Sequence, residues 1–418
     1  MAGGTRVSGT RALSHGRGRS EGGSGAAPES MSFQRSGGFG FGSRRSSHFG
    51  RCRAVGDYFV AGDIGGTNAR FELWRQGAER AGTMELVVKK KYPTADHATF
   101  VDALLQFDED CKATASEFAA PRSSAFAVAG VVVDHKLCDM TNLHWKVDAD
   151  EVADRLQWPS TVLNDFEAVG YGVLAVSQED THVLHDGAFS ATGPKVVLGP
   201  GTGFGQAQLF WGEGGGYTVM PSEGAHGDFG ARGAKQRRLS AFVESREGYC
   251  ELEHVCCGPG LENIHDFLLR DGGLSEVEAQ ARRRTAPEIS EAAINGSDDL
   301  CVEAAELLLT ILGQEAGNWG LRSLARGGVY IAGGVSHALP PYRVEMNART
   351  DRLSLSLSAS CQITPKLLPI LENGCLKRAF LHEDSRFSKV IDSIPLTLIT
   401  TDDIGLAGAA FYASRELG

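Results

Sequence analysis

The stretch Tyr58 to Trp74 reads YFVAGDIGGTNARFELW. Tyr58 to Gly62 is a short apolar run, Asp63-Ile64-Gly65-Gly66-Thr67-Asn68 follows, and Ala69 to Trp74 is a second run. Two strand-like runs about a glycine turn predict a β-hairpin. A phosphate needs backbone N–H donors at close range, and glycine lets the chain bend towards an anion without a Cβ clash. Gly62, Asp63, Ile64, Gly65, Gly66 and Thr67 are therefore a candidate phosphate cradle. Asp63 beside the turn can hold a metal-bound water, because magnesium prefers oxygen ligands and keeps its waters. Thr67 offers a hydroxyl to a phosphate oxygen. The plain alternative is a hairpin turn and nothing more. The spacing matches neither G-x-x-x-x-G-K-[ST] nor a G-x-G-x-x-G that opens a helix, which disfavours a P-loop or a dinucleotide site.

Working outward, Glu85 to Lys89 is a third strand candidate, and His97 to Phe107 reads as a helix with Phe100, Leu104 and Leu105 on one face. Ala125 to Val133 is a buried strand candidate. Asp148 with Glu151 has the form of a capping box opening a helix through Leu156. Thr161 to Leu163 is a strand whose end delivers Asn164 and Asp165, with a helix following from Phe166. The pattern then begins again. Lys195 to Leu198 is a strand, Gly199-Pro200-Gly201-Thr202-Gly203 a tight turn, and Gly205 to Trp211 the returning strand. Helices dominate from Arg238 to Leu324, Val329 to Ala332 is a late strand ending in Gly333-Gly334, and Pro395 to Ile399 is the last strand. Asp402 to Glu416 is a closing helix with small residues at Gly405, Ala407, Gly408 and Ala409. Alternating strands and helices predict an α/β architecture in two lobes, with the cleft between them as the default site.

Two glycine turns, each opening one half of the chain, suit a clamp on one polyphosphate. A carboxylate at the C-terminal end of a strand points into a cleft, where α/β folds place their ligands. Phosphoryl transfer needs a carboxylate that takes the acceptor's proton, so Asp165 is the candidate base and Asn164 a candidate partner for a neighbouring hydroxyl. Glu223 and His226 sit in PSEGAHG (221–227), and Glu253 precedes Gly258-Pro259-Gly260. Carboxylates and imidazoles satisfy the paired hydroxyls of a sugar. A metal site at His254, Cys256 and Cys257 is the weaker alternative, since adjacent cysteines lack ligand spacing. His254 and His144 read as satisfied structural histidines.

Composition bounds the rest. The 418 residues allow two or three domains, and a net charge of −11 argues against a nucleic-acid-binding surface over the whole molecule. No apolar stretch reaches the length of a membrane span. Nine scattered cysteines without a C-x-x-C fit reduced intracellular thiols. Residues 1–56 hold nine Arg against only Glu21 and Glu29, a net +7 that leaves −18 on the remainder. That Gly- and Ser-rich leader is expected to be disordered and dispensable for catalysis, as a transit peptide, a floppy extension or an upstream mis-start with Met31 as a second start.

Seven stretches taken together resemble the bacterial-type glucokinases, within the hexokinase–actin–Hsp70 superfamily: GDIGGTNAR (62–70), MTNLHW (140–145), NDFEAVGYG (164–172), LGPGTGFG (198–205), PSEGAHGDF (221–229), ELEHVCCGPGL (251–261) and VYIAGGVS (329–336). They fall in the family's order over roughly residues 57–418. The resemblance implies a two-lobed actin-like ATPase (ribonuclease H-like) fold, each lobe a mixed sheet with flanking helices. The small lobe would be residues 57–175 plus 403–418 and the large lobe 176–402. It implies ATP with magnesium as donor and glucose as acceptor at the 6-hydroxyl, the entry step of glycolysis. Residues 62–67 would form the first phosphate loop, and Gly201, Thr202 and Gly203 the second. Asp165 would be the base, with Asn164, Glu223, His226 and Glu253 on the sugar and Asn142 close to it. Gly333 and Gly334 would lie near the adenosine. The Cys-rich zinc signature of the related ROK sugar kinases is absent, which implies the zinc-free branch and no direct protein ligand to a metal. The expected partners are glucose and ATP, without nucleic acid or membrane, and a homodimer is compatible. The expected place is the cytoplasm, or an organelle if residues 1–56 are a transit peptide.

One departure is expected to matter. The family runs from Ala332-Gly333-Gly334-Val335-Ser336 almost directly into Pro365-Lys366-Leu367-Leu368, whereas His337 to Thr364 intervene here as 28 residues, including the alternation LSLSLS (353–358). The segment reads as a flexible surface loop or translated intron, and its deletion is expected to be tolerated, since closure entropy grows slowly with loop length. Two other classes compete: a non-enzymatic sugar-responsive regulator, which would be expected to lose the base or a phosphate loop, and an actin- or Hsp70-like ATPase, which has no reason to carry Glu223, His226 and Glu253 together.

Overall fold

The computed structural model describes residues 57–76, 84–115, 118–140, 143–332, 367–401 and 403–415. The leader 1–56, the segment 337–364, and Asn142, Gly333 and Gly334 lie outside the described residues.

The opening hairpin forms as its sequence requires. Strand β1 (Tyr58–Ile64) pairs antiparallel with β2 (Asn68–Gln76), which pairs with β3 (Met84–Pro93). β3 is twice the length expected from Glu85 to Lys89, because pairing with β2 continues through Pro93. Helix α1 (Phe100–Thr114) starts later than its periodicity suggests. Thr99 accepts from the Asp102 N–H while Asp102 accepts from the Thr99 N–H, and this reciprocal cap sets the start. The expected strand over Ala125–Val133 is broken into β4 (Ser123–Val128) and β5 (Val132–Val133). Gly130 between them has φ +152°, a backbone region that favours glycine, so the strand cannot run on. Strand β6 (Leu137–Asp139) and β7 (Lys146–Asp148) complete a small antiparallel sheet with β5. Helix α2 (Ala149–Leu156) is capped by Asp148 alone, whose carboxylate accepts from the Asp150 and Glu151 amides. Strand β8 (Ser160–Asn164) then leads directly into α3 (Asp165–Ala175).

The first main sheet has the order β3-β2-β1-β4-β8, with β1, β4 and β8 parallel. The second half repeats this arrangement. Strands β9 (Thr181–His185), β10 (Lys195–Pro200), β11 (Phe204–Gly212) and β12 (Gly216–Ser222) precede helices α4 (Gly233–Glu247), α5 (Gly258–Asp271), α6 (Glu276–Gln280), α7 (Ala286–Ile294) and α8 (Asp299–Ser323). Strand β13 (Val329–Ile331), helices α9 (Leu368–Leu371), α10 (Cys375–Leu381) and α11 (Ser388–Asp392), strand β14 (Leu396–Ile399) and helix α12 (Ile404–Arg415) close the chain. The second sheet runs β12-β11-β10-β13-β14-β9: a hairpin, its third strand and two parallel additions, in the same order as the first, plus β9 at the edge. In both sheets a glycine turn sits between the first two strands of the unit.

β4 (SSAFAV) and β10 (KVVLGP) are buried along their whole length, as central strands covered on both faces should be. One core lies under α1, with Phe71, Phe100, Phe107 and Phe126 as its aromatic centre. A second, built on α5, α7 and α8, backs the second sheet. The third joins the two sheets through α3 and α12, bringing Phe59, Ala61 and Leu163 together with Val197, Leu209, Val219 and Leu406. Helices α3 and α12 cross closely because small residues face each other. A Cβ added at Gly408 would land on the Ala168 carbonyl oxygen, and one at Gly172 on that of Ile404.

Candidate active site

Asp165 is the first residue of α3, set by the β8 strand end. Asn164 caps the helix: its Oδ1 accepts from the Phe166 amide at 2.9 Å and the Glu167 amide at 3.1 Å. Its Nδ2 donates to the Gly130 carbonyl at 3.1 Å. The Asn164 amide is thus bonded to backbone at both ends, and the break in the expected strand at Gly130 is what receives it.

The Asp165 carboxyl is pushed up to about 6, first by its enclosure, then against the Phe166 amide bond, with Asp63 and Glu223 adding like charge. The residue has exposed surface, yet protein crowds its carboxyl on most sides. Crowding governs the charge here, because a few water molecules touching a carboxylate do not screen it as bulk water does.

Phe166 links this base candidate to the second glycine turn. Its ring lies against Gly199 and Gly205, the residues flanking the Gly201-Thr202-Gly203 turn. A Cβ at Gly199 would come within 2.7 Å of the Phe166 Cζ, and one at Gly205 would fall inside the ring's shell. The glycines of LGPGTGFG therefore serve ring packing as well as any phosphate. The turn is braced from the far side: Gly201 accepts from the Gly258 amide at 2.9 Å, and its own N–H donates to Gly203 at 2.7 Å. The Phe204 amide donates to Glu253 Oε2 at 2.7 Å. An added Cβ at Gly203 would stand 2.7 Å from the same oxygen.

In the first glycine turn, the Thr94 hydroxyl donates to the Gly66 carbonyl at 2.8 Å and the Thr94 amide to Thr67 at 3.0 Å. Asp63 is ion-paired with Arg70, whose other nitrogen reaches Asp403 Oδ1 at 2.9 Å. Lys89 joins Asp403 at 2.7 Å to Glu72 at 3.0 Å. The β1–β2 register places Asp63 opposite Arg70, which the hairpin reading implies; Asp403 lies too far along the chain for any local pattern to reveal it.

Glu223 and His226 flank a single 3₁₀ turn, Gly224–His226, rather than an irregular loop. His226 Nε2 is 3.8 Å from Glu223 Oε2, and its Nδ1 is 3.0 Å from Glu251 Oε1. Glu251, absent from the sequence-based site, is buried. The Glu251 hydrogen bond is the first cause that holds the His226 imidazole above its ordinary range, ahead of opposing desolvation and the charges of Glu253 and Glu223. No local sequence signal marks Glu251, because the Asp228–Glu251 bridge that brings it to His226 joins residues far apart in the chain.

His254 differs from the expected satisfied histidine. Its Nε2 is 3.6 Å from Glu251, and its buried Nδ1 has no hydrogen-bond partner among the described residues. The described donor cluster with metal-like spacing is His226, Glu251 and Glu253, not His254 with the cysteines. Its members are already engaged with each other and with the Phe204 amide.

Asp63 and Glu223 add their charge at Asp165, and Glu253 reaches the second glycine turn through the Phe204 amide, while Asn142, Gly333 and Gly334 lie outside the described residues. Among the described residues, no helix is long and apolar enough to cross a membrane.

Comparison with known proteins bears on this arrangement. A family model described as glucokinase matches residues 60–346. The glucokinase of Synechocystis sp. is 31% identical over 383 residues, covering 87% of this chain and 99% of the relative. That of Chelativorans sp. is 32% identical over 361 residues, covering 85% and 90%. Among solved structures, a glucokinase from an Antarctic psychrotroph aligns with TM-score 0.70 and 25% identity over 86% of this chain and 99% of that one. A glucokinase from Balamuthia mandrillaris in complex with glucose, at 22% identity and TM-score 0.64 over 87% and 95%, shares the fold.

Proposed function

This chain belongs to the glucokinase family, has its two-lobed actin-like ATPase fold and phosphorylates glucose, and from that premise we propose which of its residues do the work. The donor is ATP with magnesium, and the acceptor is the 6-hydroxyl. The small lobe is residues 57–175 plus 403–418 and the large lobe 176–402. Residues 62–67 and Gly201 to Gly203 grip the phosphates from the two sides. The residues fit such a group: Gly203 leaves no space for a Cβ beside Glu253, and Asp63, whose carboxylate Arg70 holds, would meet magnesium only through one of the waters that ion keeps. Bound magnesium supplies positive charge that offsets the phosphate oxygens. Glu223, His226 and Glu253 hold the sugar hydroxyls. Asp165 takes the proton of the 6-hydroxyl as transfer proceeds in line. Its pKa near 6 leaves it ionised and basic at neutral pH. The enzyme acts in the cytoplasm, or in an organelle if the leader directs it there.

The observation that carries the reading is the bonding around Phe204. The candidate sugar carboxylate Glu253 accepts from the amide that ends the second glycine turn, and Phe166, next to the base, packs on that turn's flanks. Both contacts meet at the second glycine turn, which supports placing sugar, phosphate and proton acceptor around it.

The test is calorimetry of glucose and of a non-hydrolysable ATP analogue. Glu223→Gln and Glu253→Gln are each expected to weaken glucose about tenfold or more, since a hydrogen bond to a charged group contributes about 1.5–3 kcal/mol. The nucleotide affinity should stay nearly unchanged. Equal loss of both ligands would contradict the assignment.

A further inference from the structure

We propose that Glu251 is a positioning residue for sugar recognition: it holds the His226 ring so that Nε2 faces the sugar hydroxyls. This rests on His226 being a sugar ligand, as proposed above.

The argument begins with the backbone. The 3₁₀ turn Gly224–His226 leaves the chain at Gly227, whose carbonyl accepts from the Leu252 amide at 3.0 Å. Asp228 and Glu251 form an isolated antiparallel bridge, and the Phe229 amide donates to Cys250 at 3.0 Å. These bonds lay residues 250–252 alongside 227–229 and deliver the Glu251 carboxylate to His226 Nδ1. The carboxylate is buried, whereas half of the His226 side chain is exposed at 50%. An exposed imidazole on a short turn would otherwise sample several rotamers, at a cost in affinity each time a ligand fixed it.

An ionised carboxylate only accepts hydrogen bonds. Nδ1 at 3.0 Å from Glu251 Oε1 must therefore carry the proton. That fixes the tautomer and leaves Nε2, the nitrogen on the Glu223 side, as the atom presented to ligand. The orientation is the same whether the ring is neutral or cationic, so the device does not depend on titration. Among the ion pairs of the described residues, those of Glu251 are with two histidines, His226 and His254, and with no lysine or arginine. Its buried negative charge is therefore shared by two imidazoles, with His226 the nearer at 3.0 Å against 3.6 Å for His254, rather than spent on a lysine or arginine.

The test is a double-mutant cycle read by calorimetric titration of glucose into the full chain. His226→Ala and Glu251→Ala are each expected to raise the glucose dissociation constant about tenfold. The double variant should bind no more weakly than His226→Ala alone, because Glu251 acts only through that ring. Glu251→Gln, whose amide oxygen still accepts from Nδ1–H, should recover most of the affinity. Affinity for a non-hydrolysable ATP analogue and the melting temperature of Glu251→Gln should match the parent. Additive losses in the double variant, or a Glu251→Ala variant that binds glucose normally while His226→Ala does not, would overturn the role given to Glu251. A His226→Ala variant with unchanged glucose affinity would overturn both this role and the sugar-ligand reading beneath it.

Discussion

Replacing Asp165 by asparagine is expected to lower kcat by about 10² to 10⁴-fold while glucose still binds. The substitution keeps the shape and the helix-start position but removes the group that accepts a proton. It should leave the Asn164 cap intact, since that cap uses the Phe166 and Glu167 amides and the Gly130 carbonyl. The pH dependence adds a second signature. Enclosure holds the Asp165 carboxyl up to about 6, with Asp63 and Glu223 raising it and the Phe166 amide opposing. A base must be unprotonated to act, so kcat/KM should fall as pH drops through about 6, well above the limb of an ordinary carboxylate near about 4. The same limb should vanish from the residual activity of Asp165→Asn. Steady-state rates from pH 5 to 8, with calorimetry of glucose at neutral pH, check both. A variant that keeps more than about half of its turnover would remove Asp165 from the role of base.

Gly408→Ala is expected to cost about 3 kcal/mol of stability, the upper end for overpacking, because the obstacle is backbone. The added methyl would fall on the Ala168 carbonyl oxygen and within 2.6 Å of the Gly172 amide nitrogen. Neither can rotate aside, so α12 must move away from α3. Helix α3 starts at Asp165, so activity should decline together with the melting temperature. Gly405→Ala on the same helix is the control. Its Cβ would meet Val169 Cγ2 at 3.8 Å, ordinary contact, and alanine favours a helix over glycine by about 1 kcal/mol. Thermal melts should therefore separate the two variants clearly, Gly405→Ala melting at or above the parent. Equal effects would mean that the helix crossing is not set by Gly408.

Much of this architecture was legible in local pattern. Glycine turns between apolar runs announced both hairpins, Asn164-Asp165 at a strand end announced the β8–α3 junction, and the closing run announced a last helix rich in small residues. What local pattern missed depends on contacts distant in sequence or on one backbone angle. The break after Val128 follows from the Gly130 φ and its acceptance of the Asn164 amide, neither visible in an apolar run. Glu251 meets His226 only through the bridge to Asp228, a contact between residues far apart in the chain. The Arg70–Asp403 pair joins residues 333 positions apart. Phe166 is a further case: its ring explains why Gly199 and Gly205 flank the turn, a packing reason that a phosphate motif conceals.

The most direct test of the account is the product itself. Purified protein given glucose and magnesium–ATP should form glucose 6-phosphate and ADP one for one, with the phosphorus resonance coupled to the two C6 protons. Asp165→Asn should form the same product about 10² to 10⁴-fold more slowly although it still binds glucose by calorimetry. Release of inorganic phosphate without a sugar phosphate, or phosphate on another hydroxyl, would contradict the placement of Asp165, the sugar carboxylates and the two glycine turns around the 6-hydroxyl.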